Sequence, residues 1–160
     1  MINAKIKNLK QLALIIKKLR KKNKTIGFTN GCFDIIHAGH VKYLEAAKKK
    51  CRILVVALNT DSSVKRVKGD KRPITPLKGR LTVIAALEST DYVVPFKEKT
   101  PLKIIKLLKP DVIIKGADWK KTDIVGSDFV KSYGGKTAVI SFLKGYSTSG
   151  IIKSIIKDAP

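Results

Sequence analysis

Apolar positions recur along this chain with two different periods. Over residues 5–22, Leu9, Leu12, Ala13, Ile16 and Leu19 fall three or four apart with lysines between them. That is the spacing of one buried helix face. From Thr25 onward, short apolar runs take turns with helical patterns. "TIGFTN" (25–30), "RILVVAL" (52–58), "DYVVPF" (91–96), "DVIIKG" (111–116) and "KTAVISF" (136–142) have strand length. The uninterrupted runs suit strands buried on both faces. Between them, "HVKYLEAAKKK" (40–50), "TPLKGRLTVIAALES" (75–89), "TPLKIIKLLKP" (100–110), "GSDFVKSYGG" (126–135) and "STSGIIKSIIK" (147–157) read as helices. Thr75 is placed to cap the second of these with Pro76 at its first position, and Ser147 or Thr148 to cap the last.

Strands alternating with helices predict an α/β fold, a single Rossmann-like parallel sheet of about five strands with helices on both faces. No repeat or low-complexity linker divides the chain. The expected organisation is an N-terminal amphipathic helix (1–24) followed by one domain (25–160). The helix could cover its own sheet or a partner's, which leaves a homodimer open. Sheets of this kind bind ligands at the carboxyl ends of their strands.

Composition narrows the class. The chain has 160 residues, 44% hydrophobic and 29% charged, which suits one globular domain. No apolar run approaches the roughly 20 residues of a membrane span. The lysine-flanked N-terminus is too short in apolar residues for a signal peptide. Two cysteines make no disulfide framework, so a cytoplasmic location is expected. Net charge is +22, from 34 basic against 12 acidic residues. Only Arg20, Arg52, Arg66, Arg72 and Arg80 are arginine, and aromatics rarely sit among the lysines. Nucleic-acid surfaces favour arginine and interleaved aromatics. The charge therefore reads as compositional drift plus a local phosphate site, with a basic nucleic-acid-binding module as the non-enzymatic alternative.

"TIGFTNGCFDIIHAGH" (25–40) holds both histidines of the chain, His37 and His40. It follows the first strand and enters the next helix. A helix N-terminus presents unpaired N–H groups and partial positive charge, and so attracts anions. Asn30-Gly31 is a turn signal, and Gly39 removes a side chain where a phosphate would approach the backbone. Three residues apart, the two rings can lie over the same anion, which would favour their protonated form. A metal set of Cys32, Asp34, His37 and His40 is an alternative, but C-x4-H-x2-H is no strong zinc spacing; no metal site is expected. The histidines could also be packing residues alone. Neither a Walker loop nor a dinucleotide glycine fingerprint is present. No further histidine stands elsewhere as a general base, and a phosphate monoester, with a second pKa of about 6, needs none.

Two further stretches bear on a phosphate site. "SSVKRVKGDKRPITPLKGR" (62–80) is expected to be a mobile basic loop able to close over it. "KGADW" (115–119) and "GYSTSG" (145–150) place Gly116, Asp118, Ser147 and Thr148 at the same sheet edge.

"HAGH" after a strand resembles the H-x-G-H signature of the nucleotidyltransferase superfamily. With "ALNTDSSVKRVKGDKRPI", "ALESTDYVVPF", "PDVIIKGADW", "IVG" and "GYSTSGII" in order, the chain from about Thr25 resembles the D-glycero-β-D-manno-heptose 1-phosphate adenylyltransferases. The resemblance implies transfer of AMP from ATP to the sugar phosphate with Mg2+, for lipopolysaccharide core synthesis. It implies catalytic roles for His37, His40, Lys68 and Arg80. It also implies nucleotide contacts from Thr29, Gly31, Cys32, Phe33, Gly39, Gly116, Asp118, Ser147 and Thr148. Many relatives carry a fused sugar kinase, so heptose kinase and phosphatase activities are expected from separate chains. Ala117 and Trp119 depart from the usual pattern, and Trp119 also resembles cytidylyltransferases of small alcohol phosphates such as glycerol 3-phosphate.

Overall fold

The computed structural model describes residues 2–117, 123–141, 143 and 145–157. Five strands form one sheet: β1 (Ile26–Gly31), β2 (Ile53–Asn59), β3 (Tyr92–Phe96), β4 (Val112–Gly116) and β5 (Lys136–Ile140). Their order is β3-β2-β1-β4-β5, and every neighbouring pair is parallel. The helices are α1 (Leu9–Lys21), α2 (Ala38–Lys48), α3 (Asp61–Lys68), α4 (Leu77–Ala86), α5 (Leu102–Leu108), α6 (Ser127–Lys131) and α7 (Thr148–Lys157).

Strand side chains alternate between two faces, and each face has its own core. On one, Ile26, Phe28, Val55, Ala57 and Ile113 pack with Leu12 and Ile16 of α1, Ile104, Ile105 and Leu108 of α5, and Val130 of α6. On the other, Leu54, Val56, Leu58 and Ile114 pack with Tyr43, Leu44 and Ala47 of α2 and Ile84 and Ala85 of α4. Each aliphatic side chain of this size contributes about 1.5–3 kcal/mol when fully buried. The apolar face of α1 is thus used on its own sheet. No helix among the described residues is long and apolar enough to cross a membrane.

The site is positioned by β1 and β4. β1 leads through α2 to β2 on one side and lies against β4 on the other, so the winding reverses between them. Their matched register covers only Gly27↔Val112 and Phe28↔Ile113, although the strands continue to Gly31 and Gly116. The carboxyl ends part, and a crevice opens where such folds take ligands.

Three expectations need correction. α1 begins at Leu9 rather than at residue 5, because Asn8 and Gln11 form a reciprocal capping box. Residues 5–7 instead run beside β3, with Lys7 N–H donating to Val93 O and Val93 N–H to Lys5 O, both at 2.9 Å. The basic stretch 62–80 is not one loop. Its first part is α3, capped by Thr60, whose hydroxyl accepts from Ser63 N–H. Charge density hid a short helix in which Ser63 and Val64 are buried. Finally, α4 starts at Leu77, with Pro76 rather than Thr75 at the capping position.

Candidate active site

The end of β1 and the start of α2 form one tight unit. Phe33 adopts a left-handed backbone (φ 46°). Its ring fills the space beside Gly31, where a Cβ would stand 3.0 Å away. His37 is the extended residue ahead of α2 and makes no side-chain cap, while its carbonyl accepts from His40 N–H at 2.9 Å. The two imidazoles stack with centroids 3.9 Å apart. Nδ1 of each ring is buried and has no hydrogen-bond partner among the described residues. An unsatisfied buried polar atom costs about 1–3 kcal/mol, so the pair is costly unless a ligand supplies partners. Burial, and then the charge of His37, push His40 down to about 4; burial also lowers His37. Both rings are neutral at pH 7 in the free protein, so protonation must be drawn by a bound anion.

Gly39 has a packing reason beside the expected one. A Cβ there would lie 3.0 Å from the His37 ring and 3.1 Å from Tyr146 Cβ. The glycine makes room for His37, which also stacks toward Tyr146 at 6.2 Å between centroids. Ring packing at this position thus requires a glycine whatever approaches the backbone from the cleft.

A cleft of about 490 Å³ opens at the parted strand ends. Gly31, Cys32, Phe33 and His40 line it from the β1–α2 turn, Lys68 from α3, Gly116 from β4, and Ser147 and Thr148 from the start of α7. Ser147 caps α7 by accepting from Gly150 N–H at 3.0 Å, and the Thr148 hydroxyl donates to Ile35 O at 3.4 Å. Burial raises the Cys32 thiol above its ordinary value, against the lowering effect of Lys68 and Arg80. It stays protonated at neutral pH and is a poor nucleophile.

Other expected residues lie elsewhere. Thr29 is fully buried, its hydroxyl 2.7 Å from Tyr43 Oη, which in turn donates to Ile114 O. It braces α2 against the sheet rather than lining the cleft. Arg80 is 1% exposed and turned inward. It donates to Thr75 O, to Cys32 O and to the Asp61 carboxylate at 2.9, 2.6 and 2.7 Å. Its guanidinium holds the turn after β1 from behind. Asp118, and Trp119 beside it, lie outside the described residues.

Other residues of the site take roles that the sequence reading did not give them. Asp34 accepts from Arg72 Nε, Ile74 N–H and Thr75 N–H at 2.6, 2.9 and 2.8 Å. Burial alone would raise its carboxyl, but these bonds outweigh burial and hold it below the usual range. Both oxygens are engaged, so Asp34 is a clamp on the segment before α4 and not a metal ligand. Among the described residues, no group of three or more His, Cys, Asp or Glu side chains could hold a metal. Asn30, Asn59 and Lys115 also line the cleft. Their signal was available: each polar residue ends or nearly ends an apolar strand.

Comparison with known proteins follows the same lines. The description of cytidylyltransferase-like proteins matches residues 28–158. The chain is 50% identical over 155 residues to a "Bifunctional protein HldE" of Geobacter metallireducens, covering 97% of this chain and 32% of that protein. A protein of the same name from a Nitratiruptor species is 49% identical over 148 residues, covering 92% and 31%. The chain therefore spans about a third of the length of these relatives. Among solved structures, a lipopolysaccharide core biosynthesis protein from Thermoplasma volcanium superposes with TM-score 0.63 at 28% identity, covering 78% of this chain and 99% of that one. Pantoate-beta-alanine ligase from Francisella tularensis shares the fold, with TM-score 0.62 at 17% identity over 91% and 69% of the two chains.

Proposed function

The chain belongs to the cytidylyltransferase-like family of nucleotidyltransferases, and from that premise we propose that it transfers AMP from ATP to D-glycero-β-D-manno-heptose 1-phosphate, releasing pyrophosphate. The observation that carries this reading is the stacked His37–His40 pair at the N-terminus of α2, with an Nδ1 on each ring that has no partner among the described residues. Neutral imidazoles that gain protons as anionic charge arrives suit the grip of a triphosphate. The similarity to HldE proteins and to a lipopolysaccharide core biosynthesis protein supports the choice of sugar.

In the proposed reaction an oxygen of the acceptor phosphate forms a bond to the α-phosphorus of ATP. The bond from that phosphorus to the bridging oxygen breaks, and its electron pair leaves with pyrophosphate. The acceptor is already ionised and needs no general base. His37 and His40 hold the leaving phosphates and stabilise charge at the α-phosphorus. The amides of the Gly31–Phe33 turn and the α2 N-terminus hold the oxygens around it, and Gly116, Ser147 and Thr148 line the nucleotide. Catalysis is positioning plus charge stabilisation. The only cleft-lining carboxylate among the described residues is that of Asp34, which is engaged, so these residues do not fit a resident magnesium site. Magnesium enters as the counterion of ATP. A cytoplasmic site of action, with heptose kinase and phosphatase activities elsewhere in the pathway, completes the proposal.

Pyrophosphate release with ATP or CTP, across sugar 1-phosphates and glycerol 3-phosphate, is the test. The expected result is turnover with ATP and the heptose phosphate. Turnover with CTP and glycerol 3-phosphate alone would overturn the reading in favour of a cytidylyltransferase.

A further inference from the structure

The cleft has two ends, and long-range contacts assign an element to each. At one end α7, which follows β5, meets the entry to α2: Tyr146 stacks toward His37, and the Thr148 hydroxyl donates to Ile35 O. At the other, α3 is tied to the end of β3. Ser63 Oγ donates to Glu98 O at 3.0 Å, and Arg66 donates to Lys97 O. Asp61 of α3 accepts from Leu77 N–H at 3.2 Å, so the segment 69–76 between α3 and α4 lies at this end too. The sheet order sets the two ends on opposite sides of β1. Arg72 stands in that segment and is the only arginine among the described lining residues. Its Nε donates to Asp34, whose carboxylate also accepts from Ile74 N–H and Thr75 N–H, and Arg72 N–H donates to Gly69 O at 3.1 Å. Backbone and side chain are therefore both fixed. Asp34 shares the charge of Arg72, but the donors are not used up. A guanidinium carries five N–H groups, and only that on Nε has a partner among the described residues. Those on Nη1 and Nη2 are left to the cleft, which Arg72 lines with its side chain 20% exposed.

In-line displacement requires the attacking and leaving oxygens to stand on opposite sides of the α-phosphorus. With pyrophosphate leaving toward His37 and His40, the attacking phosphate enters from the end of α3 and α4. We propose that Arg72 binds the acceptor there, its two Nη groups gripping two terminal oxygens of the phosphate monoester. A guanidinium fork matches that geometry, and an ammonium does not. The third terminal oxygen is left to form the bond to the α-phosphorus, and the bridging oxygen takes its electron pair away with pyrophosphate. Asp34 supplies preorganisation. Both its oxygens are engaged, so it holds the fork in place and offers no open carboxylate to an incoming anion. The charge of Arg72 also acts on the Cys32 thiol in the turn between the two ends, whereas His37 is the one charge acting on His40 among the described residues. The assignment rests on the nucleotidyl-transfer reading above and adds to it the residue that receives the second substrate.

The test is steady-state pyrophosphate release by the full chain and two variants, Arg72→Met and Arg72→Lys, varying ATP and the heptose 1-phosphate in turn. Loss of the fork in Arg72→Met should raise KM for the sugar phosphate about 10- to 100-fold, with KM for ATP unchanged. Arg72→Lys keeps a cation beside Asp34 but no fork. It should melt near the wild-type temperature and still raise that KM about 10-fold. Should Arg72→Met not fold, Arg72→Lys carries the comparison alone. A lysine that restores both constants would show that the arginine only braces Asp34, and would overturn the assignment. So would a rise confined to ATP, an equal rise in both, or no change in either, all of which leave the nucleotidyl-transfer reading intact. A wild-type chain inactive with every sugar phosphate would overturn both.

Discussion

Arg80 and His40 both meet the turn after β1, one from α4 and one from α2, and each is a scarce side chain in a lysine-rich protein. The fold uses them in opposite ways. Arg80 arrives from behind, and its bonds end on a carboxylate and two carbonyls of the protein itself. His40 arrives from the front and keeps a buried nitrogen without a partner among the described residues. Scarcity marks both as purposeful, yet only the count of satisfied bonds tells a brace from a ligand contact. In this site the charged residue is fully engaged by the protein, and the neutral one is the residue that the proposed reaction uses.

The contrast is broken most severely at Arg80. Arg80→Met leaves Cys32 O and Thr75 O without donors and Asp61 without its partner. Asp61 is half in water, which limits the loss, so about 3 kcal/mol of stability is expected. Chemical denaturation should show it, and activity should fall only as the turn loosens. His40→Ala has the opposite signature. Pyrophosphate release should drop by about 10²-fold or more, the size of a lost transition-state donor, with little change in the denaturation midpoint. A pH effect accompanies it. His40 lies near 4 in the free protein, and a polyphosphate raises it, so protons are taken up on ATP binding between that pH and the raised value. Calorimetry near pH 6 in buffers of different ionisation enthalpy should detect this uptake in the wild type and a diminished one in His40→Ala. Lys68 sharpens the comparison at its weak end, because it shares the basic stretch with Arg80 but is exposed at the cleft. Lys68→Met should raise KM for ATP only about 2- to 5-fold, the scale of a solvent-screened charge.

Much of this architecture was legible in the chain. Apolar runs located all five strands, and the histidine motif fell at the switch point because the strand before it and the helix after it were both readable. What escaped was set by long-range reach. Nothing near Arg80 in sequence says that its guanidinium will find Cys32, 48 residues away. α3 escaped because lysines and an arginine outnumber the apolar side chains by which a short helix is recognised. That Asn30, Asn59 and Lys115 line one cleft needed the sheet order, which came only from the structure. At Gly39 the close neighbour that escaped was the His37 ring, which comes from the same turn and which no spacing rule singles out.

Residues 5–7 carry a consequence for self-association. An outer strand with open N–H and C=O groups is a template on which another chain can pair. Here the segment ahead of α1 lies along β3 and takes up both backbone groups of Val93. The opening residues thus guard that flank of the sheet against edge-to-edge growth.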